Sequence, residues 1–322
     1  MRKLSLVCAC LLVSSIGCRK LVRKAAHEAT SDDKAGQAKP AAPKQDMPAE
    51  KSLEAAMSKY AEGFNKLIGP MKYMIEDYER AVPNVRQPPA RKPVLNLGTM
   101  DRELDEVEKA FAQAKQLTPA SHADLGKTGD ATLAAARSAR KVFTEAVRYY
   151  GAENYKDDKG EGGKEIDTRM RASVDAYGEA VGKLQGRLSE LELEMMEKEL
   201  KAVPETKPGH HFRAFNLAAK RLLELRSQAE KLDGALEAVR AAQAKLKKFA
   251  EGRPDVPVAF KNYVGLADQF ETQATAFVRE AKEPAKGKKG PSQNASLLVS
   301  RYNALVQLGN SLYQLEESNV LK

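Results

Sequence analysis

Side chains that could bind a ligand occur together between residues 149 and 164. The candidate binding residues are Tyr149, Tyr150, Asn154, Tyr155, Asp157, Asp158 and Lys164. This stretch is polar and rich in glycine, so it is predicted to form a loop or a helix break. Binding sites often lie on loops that rigid helices hold in place. The segment is therefore a candidate surface for binding a small molecule or an ion.

Two more specific interpretations of this segment fail on spacing. Asp157 and Asp158, with Glu153 and Glu161, could hold calcium, but the alternating ligands and closing glutamate of an EF-hand loop are missing. The glycines before Lys164 follow no predicted strand, and no serine or threonine follows the lysine, so this is not a phosphate-binding loop. The structural alternative is that the acidic residues cap the next helix. No metal ion or cofactor is expected.

The tyrosines also have a purely structural interpretation. A buried tyrosine needs a partner for its hydroxyl group, and an asparagine or aspartate on a neighbouring helix can supply it. The residues to which this alternative applies are Tyr60, Tyr150, Tyr155, Tyr302 and Asn303.

Residues typical of catalysis form no recognisable motif elsewhere. His210 and His211 are adjacent, so on a helix their side chains point about 100° apart and cannot hold one metal ion without distant ligands. The sequence has neither a His-Glu-x-x-His pattern nor a nucleophile elbow. We therefore expect a protein that is not an enzyme. A tethered hydrolase that uses scattered carboxylates is the less favoured alternative.

The amino terminus has the pattern of an export signal. The three cysteines of the chain, Cys8, Cys10 and Cys18, all lie within it, so the rest of the chain has no disulfide or thiol chemistry. Two basic residues at positions 2 and 3 precede an uncharged apolar run over residues 4–13. The run is too short to span a bilayer as a helix but is typical of a signal peptide.

The residues that follow resemble the lipobox of bacterial lipoproteins. Ser15-Ile16-Gly17-Cys18 places small residues before a cysteine. The resemblance implies cleavage after Gly17, a diacylglyceryl thioether on Cys18 and acylation of the new amino terminus. Residues 1–17 are thus predicted to be a lipoprotein signal peptide. A second lipobox at residues 7–10, an ordinary secretion signal and an uncleaved interfacial anchor are the alternatives.

The predicted anchor indicates where the protein resides. Several acyl chains give stable attachment to a membrane, so we expect a lipid-anchored protein of the cell envelope. Arg19, rather than aspartate, follows the cysteine, which by analogy with enterobacterial sorting implies the outer membrane, facing the periplasm. Residues 18–49 begin with the lipidated cysteine and continue without apolar periodicity. They are predicted to form a disordered tether.

Residues 50–322 are predicted to form one helical-bundle domain. Apolar residues recur there at three- and four-residue spacings, and the abundant Ala, Leu, Glu and Lys favour helices. Gly69-Pro70 should kink or split the first helix. The predicted fold class is all-α: an elongated helical bundle preceded by the tether.

Two helices of about 40 residues each are predicted in the second half of the chain. They run from about Glu165 to Val203 and from about His211 to Ala250. The apolar seam of the second consists of Leu222, Leu225, Ala229, Leu232, Leu236, Val239 and Leu246. Such alternating spacing is typical of a coiled coil, so the two helices are predicted to form a long antiparallel hairpin.

The charge pattern argues against a nucleic-acid partner. The net charge is +9, but 44 acidic residues are interleaved with 53 basic ones. A nucleic-acid surface needs clustered basic residues rather than a mild overall excess.

Three segments together carry a family resemblance. The first contains Lys59-Tyr60 and Phe64-Asn65, the second is the tyrosine-rich stretch of residues 149–164, and the third is Arg301-Tyr302-Asn303-Ala304-Leu305-Val306. In this order, behind a lipobox, they resemble the YiiG-like bacterial lipoproteins, family 3829 of the domains of unknown function. The resemblance covers most of the chain, from about Leu53 to Leu315.

The resemblance implies a helical, non-enzymatic lipoprotein of the cell envelope and offers no established activity or functional residues. We therefore expect an interaction or structural protein, attached to the membrane by its lipid, that binds an envelope protein or polymer. A ligand- or ion-binding module that uses residues 149–164 is the alternative.

Overall fold

The computed structural model describes residues 49–84, 89, 97–253, 255–282, 293–318 and 320–321. The predicted signal peptide of residues 1–17, Cys18 and the predicted tether up to residue 48 lie outside these residues. Residue 49, the last of the predicted tether, is the first residue of a helix.

Eight α-helices account for most of the described residues. They are α1 (Ala49–Ala81), α2 (Leu97–Leu117), α3 (Ala123–Gly151), α4 (Glu161–Ala202), α5 (Pro208–Glu224), α6 (Leu232–Glu251), α7 (Val258–Lys282) and α8 (Gln293–Glu317). Short 3₁₀ turns lie at Ala120–His122, Asn154–Lys156 and Ala229–Lys231. The described residues contain no β-strand, and the all-α fold class is confirmed.

Two compact units form within the predicted body. Unit 1 comprises the described residues from 49 to 188, and unit 2 comprises those from 189 to 321. The boundary falls inside α4, so this helix contributes to both units.

In unit 1, α1 packs along α2, and α2 packs against α3. The Tyr60 ring lies 5.2 Å from the Phe111 ring at the centre of this packing. Glycines make room for both rings: a Cβ at Gly129 would lie 2.6 Å from Tyr60 Cε1, and one at Gly63 would lie 2.7 Å from Phe111 Cε1. Small residues at these positions therefore set how closely the helices approach.

The first helix runs through Gly69-Pro70 without being split. A proline inside a helix removes one backbone hydrogen bond. Leu67 and Ile68 before it and Met71 after it are all buried, so the apolar face is continuous across the proline. Burial of that face offsets the lost hydrogen bond.

In unit 2, α7 packs along α8, α6 packs against both α5 and α7, and α5 contacts α8. The centre of this unit is aromatic: Phe215 contacts both Tyr263 and Phe270 edge to face, with ring centroids 6.2 Å and 6.0 Å apart. The Tyr263 hydroxyl donates a hydrogen bond to Asn216 Oδ1 at 2.6 Å. A buried tyrosine here has its hydroxyl satisfied by a buried asparagine of another helix.

The helix predicted from about His211 to Ala250 is wrong as a single element. The chain leaves α5 after Glu224, turns through residues 225–228, and enters α6 at Leu232. Two members of the predicted seam fall in this break: Leu225 is half-buried, and Ala229 is exposed. The separate helices α5 and α6 pack against each other instead of forming one long arm of the predicted hairpin.

Candidate functional site

The candidate binding segment connects α3 to α4. Helix α3 ends at Gly151, a 3₁₀ turn covers Asn154–Lys156, and α4 begins at Glu161. The backbone turns sharply at Gly160, where φ is 84°, a conformation that glycine adopts at little cost. The predicted loop or helix break is therefore confirmed, but as a compact connection with its own hydrogen bonds.

Asp158 is the centre of those hydrogen bonds. Its Oδ1 accepts a hydrogen bond from the Tyr149 hydroxyl at 2.8 Å and another from the Gly160 amide at 2.8 Å. Its Oδ2 accepts from the Gly162 amide at 3.1 Å. Amides at a helix start lack partners within the helix, and carboxylates are favoured there. The capping interpretation is therefore confirmed for Asp158.

The same contacts shift two pKa values in opposite directions. The hydrogen bond from Tyr149 and the two glycine amides lower the pKa of the Asp158 carboxyl. Burial, followed by the bond to Asp158, raises the pKa of the Tyr149 phenol to about 12. The pair therefore remains a phenol that donates to a carboxylate across the neutral pH range.

The two adjacent tyrosines face the protein interior. Tyr149 is 8% exposed and Tyr150 is 1% exposed, and their rings meet edge to face at 5.0 Å. Burial also raises the pKa of the Tyr150 phenol. A Cβ at Gly163 would lie only 2.8 Å from Tyr150 Oη, so the glycine lets the first turn of α4 lie directly against this ring. Both tyrosines thus hold α4 against α3.

The other candidate residues remain closer to solvent. Tyr155 is half-buried with its ring 6.2 Å from that of Tyr150, whereas Asn154 and Asp157 are exposed. Lys164 forms an ion pair with Glu161 within the first turn of α4. The structure brings Tyr149, Tyr150 and Asp158 together in a structural role. Ligand binding by the segment stays a prediction. It would depend on the exposed side chains of Asn154 and Asp157.

Both histidines of the adjacent pair bind backbone carbonyls. His210 Nδ1 donates to Val203 O at 2.8 Å, and His211 Nε2 donates to Glu205 O at 2.8 Å. The His211 ring lies 4.3 Å from that of Phe249, and burial lowers its pKa. The pair therefore fastens the turn between α4 and α5. Among the residues that the structure describes, no group of three or more His, Cys, Asp and Glu side chains could hold a metal ion.

The sequence interpretation missed a buried ionic cluster in unit 2. Lys220 Nζ, on a side chain that is 1% exposed, lies 2.8 Å from Glu192 Oε2 and 3.2 Å from Glu224 Oε1. The spacing of residues on α5 could have indicated that Lys220 is buried. Lys220 follows the buried Asn216 by four residues and precedes the buried Leu223 by three. Its position on the apolar face of α5 could have identified it as a buried cation.

Within the described part of the chain, no helix combines the length and the apolar character that crossing a bilayer would require.

Comparisons with known proteins give a family but no activity. The family model DUF3829, whose description is "Protein of unknown function", matches residues 28–286. The chain is also similar to "Uncharacterized protein YiiG" of Escherichia coli (strain K12), with 26% identity over 263 residues that cover 77% of this chain and 72% of the relative. No solved structure matches the chain.

Proposed function

The chain belongs to DUF3829, a family of unknown function, and on that premise we propose that it is a lipid-anchored, non-enzymatic protein of the bacterial cell envelope. Its helical body would bind another envelope protein or an envelope polymer. The observation that carries the proposal is the order of residues at the amino terminus. Ser15-Ile16-Gly17-Cys18 comes shortly after a basic pair and an apolar run of signal-peptide length.

The proposed location follows from the residue after the cysteine. Arg19 stands where enterobacterial sorting would use aspartate to retain a lipoprotein in the inner membrane. The acylated protein would therefore be anchored in the outer membrane, with its body in the periplasm. Several acyl chains would hold it there stably, whereas one chain gives only marginal binding.

The helical body supports a binding role because its charged faces are held by ion pairs. In unit 1, Arg187 lies 2.7 Å from Asp124 on a neighbouring helix. In unit 2, Arg240 lies 2.9 Å from Glu271 on a neighbouring helix. A preorganised surface loses little conformational freedom when a partner binds, which favours recognition by packed helices.

Labelling of cells with radioactive palmitate tests the anchor. We expect label in the wild-type protein and in Cys10→Ser, and none in Cys18→Ser. The Cys10→Ser variant is the matched control, because it removes a cysteine of the same signal segment. Loss of label in Cys10→Ser alone would move the anchor to the alternative lipobox at residues 7–10. An unlabelled wild-type protein would contradict the proposal.

Site-directed photo-crosslinking in cells tests the binding role. A photoreactive residue at the exposed position Asn154 samples unit 1, and one at Lys245 samples unit 2. We expect a reproducible adduct from at least one unit, and its loss when Cys18→Ser removes the anchor. If neither position gives an adduct that depends on the anchor, the tethered interaction role is contradicted.

Incubation of the purified protein with peptidoglycan and with peptides tests the proposal that the protein is not an enzyme. We expect both substrates to remain intact. Turnover that depends on protein concentration and disappears after heat denaturation would favour the tethered hydrolase instead.

A further inference from the structure

A charged cleft lies between α2 and α3 in unit 1. Its volume is about 540 Å³. Helix α2 contributes Asp101, Leu104 and Asp105, and α3 contributes the remaining lining residues. Those from α3 are Arg137, Arg140, Lys141, Thr144, Glu145 and Arg148.

Most of these charges already have a partner within the protein. Arg140 donates from Nε to Asp101 Oδ1 at 2.8 Å and from Nη2 to Asp101 Oδ2 at 2.7 Å. Arg137 Nη2 donates to Glu108 Oε2 at 2.5 Å, on the same pair of helices. Such bidentate and charge-assisted contacts fix the guanidinium groups in place.

The remaining carboxylate of the α3 wall is neutralised as well. Glu145 Oε2 lies 2.6 Å from Arg169 Nη1, on α4. The fixed ion pairs therefore contribute no net charge to the cleft, and its recognition properties depend on the groups left over.

Two cations and one carboxylate are left over. Lys141 and Arg148 are exposed and form no ion pair with any described residue. They are seven residues apart on α3, which is two helical turns and about 10 Å, so they share one face. Asp105 is exposed on the opposite wall and likewise forms no ion pair with a described residue.

We propose that this cleft binds a phosphoryl group, carried by a free phosphate monoester or by a phospholipid headgroup. The two unpaired cations match the charge of a phosphate monoester, which is close to two at neutral pH, whereas a diester headgroup carries a single negative charge. The long side chains of Lys141 and Arg148 can both reach an anion placed over the turn between them, and arginine matches phosphate geometry well. Asp105 opposes the anion, so its removal should strengthen binding. The proposal is independent of the lipid anchor.

Equilibrium dialysis with radiolabelled inorganic phosphate tests the proposal on full-length protein in non-ionic detergent at constant ionic strength. We expect Lys141→Ala/Arg148→Ala to weaken binding about tenfold or more, because charge-assisted hydrogen bonds are strong. We expect Asp105→Asn to tighten it. The matched control is Lys245→Ala/Lys248→Ala, which removes two exposed cations from unit 2 and should leave binding unchanged.

Two results would overturn the proposal directly. One is wild-type protein that takes up no phosphate, and the other is an equal loss of binding in the cleft variant and the control. Circular dichroism checks that each variant is folded. A variant that loses helicity is replaced by Lys141→Gln/Arg148→Gln, which keeps the side-chain stems.

Soluble competitors identify the source of the phosphoryl group. Displacement of the label by glycerol 3-phosphate, a monoester, would assign the cleft to free organic phosphates. Displacement by glycerophosphoglycerol, a diester, would assign it to phospholipid headgroups. If neither compound displaces the label, the cleft does not recognise organic phosphoryl groups, and the proposal fails.

Discussion

Apart from tyrosines, the described part of unit 1 buries one polar side chain, that of Thr132, whereas unit 2 buries Ser189, Glu192, Asn216 and Lys220. The Thr132 hydroxyl is satisfied by backbone carbonyls alone: Thr128 O in its own helix at 2.9 Å and Ala180 O on α4 at 3.1 Å. Unit 2 instead buries charges whose partners lie on α4 and α5. A substitution in the core of unit 1 should therefore act mainly through packing, and one in unit 2 through electrostatics.

The largest expected effect is that of Lys220→Met in unit 2. Removal of the cation breaks the buried ion pair with Glu192, which should cost about 3–5 kcal/mol of unfolding free energy. Urea denaturation followed by circular dichroism measures the loss, and hydrogen exchange in α5 locates it. The control Lys245→Met replaces an exposed lysine of the same unit and should change stability by less than about 0.5 kcal/mol.

A double variant separates charge from packing at the same site. Lys220→Met/Glu192→Met replaces the buried pair with apolar side chains, which is often neutral or stabilising. We expect it to regain most of the stability that Lys220→Met loses. If the double variant is as unstable as the single one, packing rather than the broken ion pair determines the effect, and the contrast between the units disappears.

Gly129→Ala is the corresponding test in unit 1. The new Cβ would lie 2.6 Å from Tyr60 Cε1, and the Tyr60 ring is held against Phe111, so overpacking should cost about 1–3 kcal/mol. Gly182→Ala is the matched control: it lies in a helix of the same unit, and apart from the adjacent backbone of that helix nothing lies within 4 Å of the new Cβ. That substitution should stabilise by up to about 1 kcal/mol, because alanine favours helices. Equal effects of the two would remove the steric argument.

A smaller effect is expected for Tyr149→Phe, which removes the hydrogen bond to Asp158. Because the folded protein lowers the Asp158 pKa, this contribution is complete above the ordinary aspartate value of 3.8 and is lost as the pH falls through the lowered one. The difference in thermal stability between wild type and variant should therefore shrink below pH 3.8. Tyr73→Phe, at a position that is 68% exposed, is the control. A difference that does not vary with pH would contradict the carboxylate's role.

Local patterns predicted the helices of this fold better than their ends. The seam that runs through residues 225–229 kept its three- and four-residue spacing across a real turn, and no glycine or proline marked the break. At Gly69-Pro70 the predicted split does not occur, because burial on both sides of the proline keeps α1 in one piece. In both places tertiary packing overrides the local signal.

The sequence grouped the connecting residues correctly but could not assign their individual roles. Asp157 and Asp158 are adjacent residues of the same type, so their side chains cannot be told apart from the sequence. The backbone turn at Gly160 decides which of them reaches the Tyr149 hydroxyl and the helix amides. The partners of Lys220 and the cleft between α2 and α3 involve residues far apart in the chain. Without a tertiary structure, one sequence gives no distances between them.

The smallest expected effect concerns His211, in unit 2. Burial lowers its pKa below the ordinary 6.5, so folding favours the neutral imidazole. The unfolded chain then binds more protons between these two values, and stability falls as the pH falls from about 6.5 through the lowered pKa.

His211→Gln cannot titrate and can still donate to the Glu205 carbonyl, so its stability should vary less with pH. Thermal unfolding between pH 7 and about pH 5 measures this difference. An unchanged pH dependence in His211→Gln would show that other groups in the protein cause it, and that the half-buried imidazole has no part in the electrostatic character of unit 2.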